Sequence, residues 1–291
     1  MRTPHLRAPT PASEESCRFP SWTADRTHDA PAAIPSRKPR RRMLSGAWRW
    51  LSPVGLLLLW QIASGTGILS EDKLASPTKV LAAGIDLATS GQLGDAFVVS
   101  LRRVLLGVAV GAVIALALGL TAGLSRWGAV LVDPPVQMLR TLPFLGLIPL
   151  FIIWFGIGEE PKIALVALGF AFPLYLNVYA GIRDTDPQLL EATAVLGFTR
   201  WERLLHVVLP AALPQALVGL RQGLGVAWLS LIVGEQINAD AGLGYLINNA
   251  RDFLRTDQVV VGLVVYAGLG LATDALVRAL ERKALRWRNT P

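Results

Sequence analysis

Val104 to Leu124 is a run of 21 residues without one charged side chain, and Ile163 to Ile182 is another of 20. About 20 consecutive apolar residues are what a helix needs to cross a bilayer. A bilayer offers no water to exposed backbone groups, so a helix, which bonds its own N–H and C=O groups, is the form such a run must take. The strands of a membrane barrel would be shorter and would alternate in polarity. The implied fold class is therefore all-α, a polytopic membrane helix bundle.

The rest of the chain extends that reading. Hydrophobic residues make up 52% and charged residues 17% of it, against about a quarter charged in soluble proteins. Six spans are expected, at roughly 51–69, 101–124, 139–158, 162–182, 212–237 and 258–277. The third holds Pro143 and Pro149, and the fifth holds Arg221 and Glu235. In the second span Gly107, Gly111, Ala115, Gly119 and Gly123 recur every fourth position, and Gly219, Gly223 and Ala227 do so in the fifth. Small residues at that spacing share one helix face and let membrane helices pack backbone to backbone. A tight bundle, and a subunit contact, would use such faces.

The formal net charge of +7 does not point to nucleic acid. Residues 1–50 carry +6 of it and residues 51–291 only +1. Residues 1–43, rich in Pro, Ser, Thr and Arg, read as a disordered basic tail, and 44–291 as the membrane domain. A secretory signal would place its apolar segment directly after a short basic start, and here that segment begins near Leu51, so no cleavage is expected. The Arg37-Lys38-Pro39-Arg40-Arg41-Arg42 cluster would hold the N-terminus in the cytoplasm. Six spans then return the basic C-terminus to the same side, together with Arg126, Arg200 and Arg203. Arg102 and Arg103 sit at the outer start of the second span, where snorkelling would carry them to the interface.

Catalytic chemistry finds little to work with. The one cysteine, Cys17, and two of the three histidines, His5 and His28, lie in the tail; the third, His206, lies outside the spans. An intramembrane metalloprotease would need His and acid ligands at depth, and a serine enzyme built on Ser230 would lack a base. No metal site and no enzyme activity is expected. A phosphate-binding G-x-x-x-x-G-K-[ST] motif is absent, and the dipeptide Gly-Lys never occurs. A gradient-driven secondary transporter would need membrane carboxylates, for which Glu235 and Asp274 are the candidates.

The stretch 183–211, between the fourth and fifth spans, has start and stop signals of its own. Asp186-Pro187 reads as a helix start, with Asp as cap and Pro at the first helical position. Gly197 can end that helix in the left-handed region. Thr199-Arg200-Trp201-Glu202 has capping-box spacing, and the second helix is expected to stop at Leu209-Pro210. A helix–Gly–helix on the cytoplasmic side is either a knob that receives a partner's push or an amphipathic hairpin lying on the membrane surface.

This stretch resembles the EAA motif of binding-protein-dependent ABC permeases: E-A-A, three residues, G, nine residues, I, one residue, L-P. The counterparts are Glu191-Ala192-Thr193, Gly197, Val207 and Leu209-Pro210. Thr193 departs from the second Ala and Val207 from the Ile. The resemblance covers roughly 50–288. Gly123-Leu124-Ser125-Arg126-Trp127-Gly128, Gln137-Met138-Leu139-Arg140, Gly242-Leu243-Gly244-Tyr245-Leu246 and Asn249-Ala250-Arg251-Asp252-Phe253-Leu254 resemble the aliphatic sulfonate permeases in particular. Taurine, nitrate and pyrimidine-precursor permeases share the fold and part of these motifs.

The resemblance implies a type I ABC importer (MetI-like) permease fold and a homodimer of this chain. It also implies two cytoplasmic ATP-binding subunits that bind ATP and Mg, and an external substrate-binding protein. The permease itself would bind no cofactor. Glu191, Ala192, Thr193, Gly197, Leu209 and Pro210 would then carry the ATPase contact. Ionisable and polar residues in the spans are the candidates for the substrate path: Arg140 and Arg221 as donors suited to a sulfonate, with Asn177 and Gln222. Snorkelling for the arginines and interhelical hydrogen bonding for the amides are the structural alternatives. Tyr175, Tyr179, Trp154 and Trp228 read as packing or interface residues.

Overall fold

The computed structural model of the chain describes residues 45–67, 69–70, 73–143 and 146–285. The expected disordered tail, 1–43, lies outside the described residues. All regular structure among the described residues is helical: α1 (Ser45–Gly65), α2 (Pro77–Thr89), α3 (Gln92–Leu124), α4 (Arg126–Thr141), α5 (Leu147–Phe155), α6 (Glu160–Arg183), α7 (Pro187–Val195), α8 (Arg200–Arg203), α9 (Leu209–Asn238), α10 (Leu243–Asp252) and α11 (Thr256–Ala284).

Helix α6 is the centre. Its most extensive packing is against α9 on one side and α3 on the other. Leu165, Val166, Phe170 and Tyr175 of α6 are each no more than 1% exposed. The every-fourth small residues account for the closeness of these contacts. A Cβ built on Gly111 of α3 would lie 2.5 Å from the Ala167 carbonyl oxygen, and one on Gly223 of α9 would lie 2.8 Å from that of Phe170. Gly107, Gly119 and Gly123 face Val166, Val178 and Ile182 in the same way. Both small-residue faces are thus turned inward onto α6, which is how membrane helices associate without a hydrophobic drive between them.

Around this three-helix core, α5 packs on α6 through Ile148, Phe151 and Leu165. Helix α2 packs on α11 through Ala83, Leu87 and Val261. The outward faces are apolar: Leu105, Val113, Leu229, Val264 and Leu271 are exposed, and so are Leu56 to Leu59 and Ile62 of α1. A water-soluble domain rarely shows contiguous apolar surface on this scale. Among the described residues, four helices have the length and composition to cross a membrane: α3, α6, the continuous helical stretch Arg200–Ile237 and α11. Leu51–Gly65 of α1 is a shorter apolar helix.

The third expected span, 139–158, is not one helix. Helix α4 ends at Thr141, Leu142 is extended, and α5 begins at Leu147 and runs for 9 residues. Nine helical residues reach only about 14 Å, too short to cross alone. Pro143 lies in the break; a proline disfavours helix at the residue before it and has no N–H to bond back into the preceding turn.

Candidate functional site

The stretch after α6 builds a hairpin whose parts follow from single residues. Asp186 stands outside the helix, and its carboxylate accepts the Gln188 N–H at 2.8 Å, starting α7 behind Pro187. Gly197, at φ 83°, ends it in the left-handed region. There the Phe198 N–H donates to the Thr193 carbonyl at 3.0 Å and the Gly197 N–H to that of Ala194 at 3.1 Å. These are the two bonds of a Schellman stop, and they satisfy carbonyls that the helix end leaves open. The Thr199 hydroxyl accepts the Glu202 N–H at 3.3 Å, while the Glu202 carboxylate accepts the Thr199 N–H at 2.7 Å, closing a capping box.

The second helix does not stop at Leu209-Pro210. Leu204–Val208 form a wider π turn, and the Leu209 N–H reaches back five residues to the Leu204 carbonyl. The chain then continues straight into α9. Pro210 has no N–H to give to the preceding turn, and the π turn shifts the bonding register by one residue there, so the helix passes the proline instead of ending.

Of the predicted coupling residues, Glu191, Ala192 and Gly197 are brought together on this exposed hairpin, and Thr193 stands half-buried beneath them. Leu209 and Pro210 lie apart from it, half-buried at the start of α9. The hairpin is not polar at its tip. Val195 is 88% exposed and Leu196 73%, and Leu189 and Phe198 of the same hairpin are also exposed. Exposed apolar side chains clustered on one capped turn form a candidate contact surface.

The path candidates do not converge on one point. The Asn177 amide donates to the Gln222 side-chain oxygen at 3.1 Å, and Gln215 donates to Asn177 at 2.9 Å, so these amides tie α6 to α9. Arg221 pairs with Asp274 of α11, which also receives Arg278. Arg221 and Gln222 line a groove of about 600 Å³ between α9 and α11, with Thr273 and Asp274 opposite. Arg140 is exposed in the last turn of α4. Tyr175 and Tyr179 stack 6.0 Å apart, and Trp228 meets Tyr266 edge-on, as packing residues do, while Trp154 is exposed.

At the opposite end of the bundle lies a buried ionic cluster. Arg103 does not snorkel: it is 3% exposed. Its Nη1 donates to Glu235 and to the Ala241 carbonyl, both at 2.6 Å, and its Nε and Nη2 grip Glu159 at 2.6 and 2.7 Å. Glu235, 1% exposed, also accepts from Ser100 at 2.8 Å, the Gly244 N–H at 2.7 Å and the Tyr266 hydroxyl at 3.0 Å. Ser100 in turn accepts the Leu243 N–H at 2.8 Å. Helices α3, α9, α10 and α11 and the start of α6 are thereby stitched at one point. Arg103, followed by Lys162, holds the Glu159 carboxyl at about 2.

Residues 107–286 match the family described as the binding-protein-dependent transport system inner membrane component. The chain belongs to this family. Among individual relatives of this permease, the SsuC protein of Escherichia coli strain K12, by name an aliphatic sulfonates transport permease, is 47% identical over 249 residues, covering 86% of this chain and 95% of its own. The SsuC protein of Bacillus subtilis strain 168 is 41% identical over 254 residues, 87% and 92% of the two chains. The taurine transport system permease protein TauC of Escherichia coli K12 is 34% identical over 237 residues, 80% and 86%. Two solved structures share the fold. An inward-facing form of the MetNI methionine ABC transporter has a TM-score of 0.54 at 22% identity, over 66% of this chain and 97% of that one. An amino acid ABC transporter with histidines has 0.56 at 19%, over 71% and 96%. The permease therefore has the MetI-type fold of ABC importers, as a multi-pass membrane protein. The ionic cluster had no local signal in the sequence, since its members are 56 and 132 positions apart.

Proposed function

We propose that this permease carries aliphatic sulfonates across the membrane, two copies working with two cytoplasmic ATP-binding subunits and an external binding protein. The observation that carries the substrate class is the match to the sulfonate permease of Escherichia coli, at 47% identity over 95% of that protein. The taurine relative is more distant, at 34%. ATP and Mg belong, in this reading, to the partner subunits. The hairpin around Gly197 faces the cytosol, and its apolar tip with Glu191 and Ala192 sits against the ATP-binding subunit. Closure of the ATP-bound pair then pushes on α9 through a helical connection that the π turn keeps unbroken. ATP shifts the permease between inward and outward access only because it binds one state more tightly.

Arg221 and Gln222, in the α9–α11 groove, are assigned to the anion's path, with Asp274 releasing Arg221 as the sulfonate arrives. A guanidinium presents donors that suit the three oxygens of a sulfonate. The amide of Asn177 is spent at both ends, donating to Pro173 and Gln222 and accepting from Gln215, whereas Gln222 gives that α6–α9 tie only its oxygen; Arg140 is assigned to the membrane interface. The carboxylates that a gradient-driven carrier would use are both engaged, Glu235 by its buried donors and Asp274 by two arginines.

The test is uptake of a labelled alkanesulfonate into proteoliposomes holding the permease and ATP-binding subunit, with binding protein and ATP on their proper sides. Uptake is expected with ATP, to be lost without it, and to be weaker with taurine and absent with nitrate. Uptake driven by an ion gradient without the ATP-binding subunit rejects the coupling. ATP-driven uptake of nitrate in place of sulfonate rejects the substrate class alone.

A further inference from the structure

We infer that the groove beneath α8, at the hairpin end of the bundle, binds the headgroup of an anionic phospholipid. The groove measures about 610 Å³. Its wall is apolar: Leu124 from the end of α3, Leu190 of α7, and Leu204 and Val208 of the π turn. Its polar residues are two guanidiniums, Arg200 and Arg203, with the Trp201 ring beside them.

Three observations select the occupant. First, Arg203 Nε is buried and has no hydrogen-bond partner among the described residues. A buried donor on a permanently charged group calls for an acceptor. The acid of the same turn does not supply it, because the Glu202 carboxylate is turned to Thr199. Second, Leu124 is the last residue of α3, a helix long and apolar enough to cross the membrane, so the groove sits at the end of a candidate span. Third, this end shows a second Arg–Trp pair: Arg126-Trp127 begins α4 directly after α3, with Trp127 78% exposed. Exposed tryptophans collect at the bilayer interface, and basic pockets between membrane helices take anionic headgroups. A ligand with a phosphate for the guanidiniums and an acyl chain for the leucine wall satisfies both halves of the groove. A free inorganic anion satisfies only one. Lodged there, the lipid braces α8 and the π turn against α3, at the point where the hairpin's motion enters α9.

The experiment is native mass spectrometry of the assembled transporter, equilibrated with phosphatidylglycerol or phosphatidylcholine of matched chains. Two surface guanidiniums favour the anionic lipid by about thirtyfold, and that preference is expected in retained lipid per permease. Arg200→Gln with Arg203→Gln removes the preference, while Arg255→Gln, beyond α10, leaves it in place. Equal retention of the two lipids by the unaltered protein overturns the inference without recourse to any variant. So does a preference that survives the double substitution, or one abolished by millimolar inorganic phosphate. Loss of the ATP-binding subunit from the double variant, with phosphatidylglycerol still retained, assigns the groove to that subunit and overturns it equally.

Discussion

Glu235 receives donors from Ser100, Arg103, Gly244 and Tyr266 at a site almost without solvent. Removing one partner of a buried ion pair leaves the other charge uncompensated, which costs roughly 3–5 kcal/mol. Glu235→Ala is therefore expected to lower the thermal unfolding midpoint of the purified permease markedly. Glu235→Gln should lower it less, since an amide oxygen still accepts from Ser100 or Gly244. An unchanged midpoint in the alanine variant would mean that the cluster holds nothing together. Glu159 makes a smaller, pH-dependent contribution, because it is half exposed. Its carboxyl lies at about 2 against an ordinary 4.5, chiefly through the Arg103 hydrogen bonds. A depressed carboxylate stabilises the fold above its ordinary pKa, and that stabilisation drains away as pH falls from about 4.5 towards 2. Unfolding midpoints measured across that window should fall less in Glu159→Gln than in the unaltered protein. The partners of these two carboxylates were not legible in the sequence. Hydropathy places Arg103 at a span end, where snorkelling is the ordinary outcome; only the fold brings Glu159 and Glu235 to it.

Among the helices, the small-residue spacing was legible and its partner was not. A repeat of four marks a face, but nothing in α3 or α9 says that both faces meet α6. Two glycines of α3 should respond oppositely to an added methyl. Gly111→Ala drives a methyl to 2.5 Å from the Ala167 carbonyl oxygen, so α3 and α6 must part. Overpacking of this kind costs about 1–3 kcal/mol. Gly94→Ala, on the exposed first turn of the same helix, meets nothing within 4 Å. It should be neutral or stabilising by up to about 1 kcal/mol. Denaturation midpoints of the two variants check this, and equal effects would remove the close-packing account. The hairpin was read almost whole, because Asp186, Gly197, Thr199 and Glu202 act through bonds no more than five residues long. Beyond that range the reading failed. Pro210 signals a helix end, whereas the π turn before it absorbs the lost bond. Helices α2 and α10 were missed because they are short and amphipathic among long apolar runs. Hydropathy reads 139–158 as one span because it does not register a break at Pro143.

On the scale of the whole molecule, the two ends of the bundle differ in kind. One end closes on a buried ionic cluster around Glu235; the other carries the capped hairpin, both Arg–Trp pairs, and Arg282 and Lys283 in the last turn of α11. Basic residues at span ends favour the cytoplasmic side, which supports the cytosolic hairpin proposed above. The single native cysteine makes this directly measurable. With Cys17→Ser as background, Val195→Cys reports from the hairpin tip and Phe253→Cys from the turn after α10; the side chains replaced are 88% and 70% exposed. A membrane-impermeant maleimide applied to intact spheroplasts is expected to label Phe253→Cys and to spare Val195→Cys. Inverted vesicles should give the reverse. If Val195→Cys is labelled from outside, the hairpin lies across the bilayer from any ATP-binding subunit. No force could then enter α9 through it, however well its spacing matches the motif.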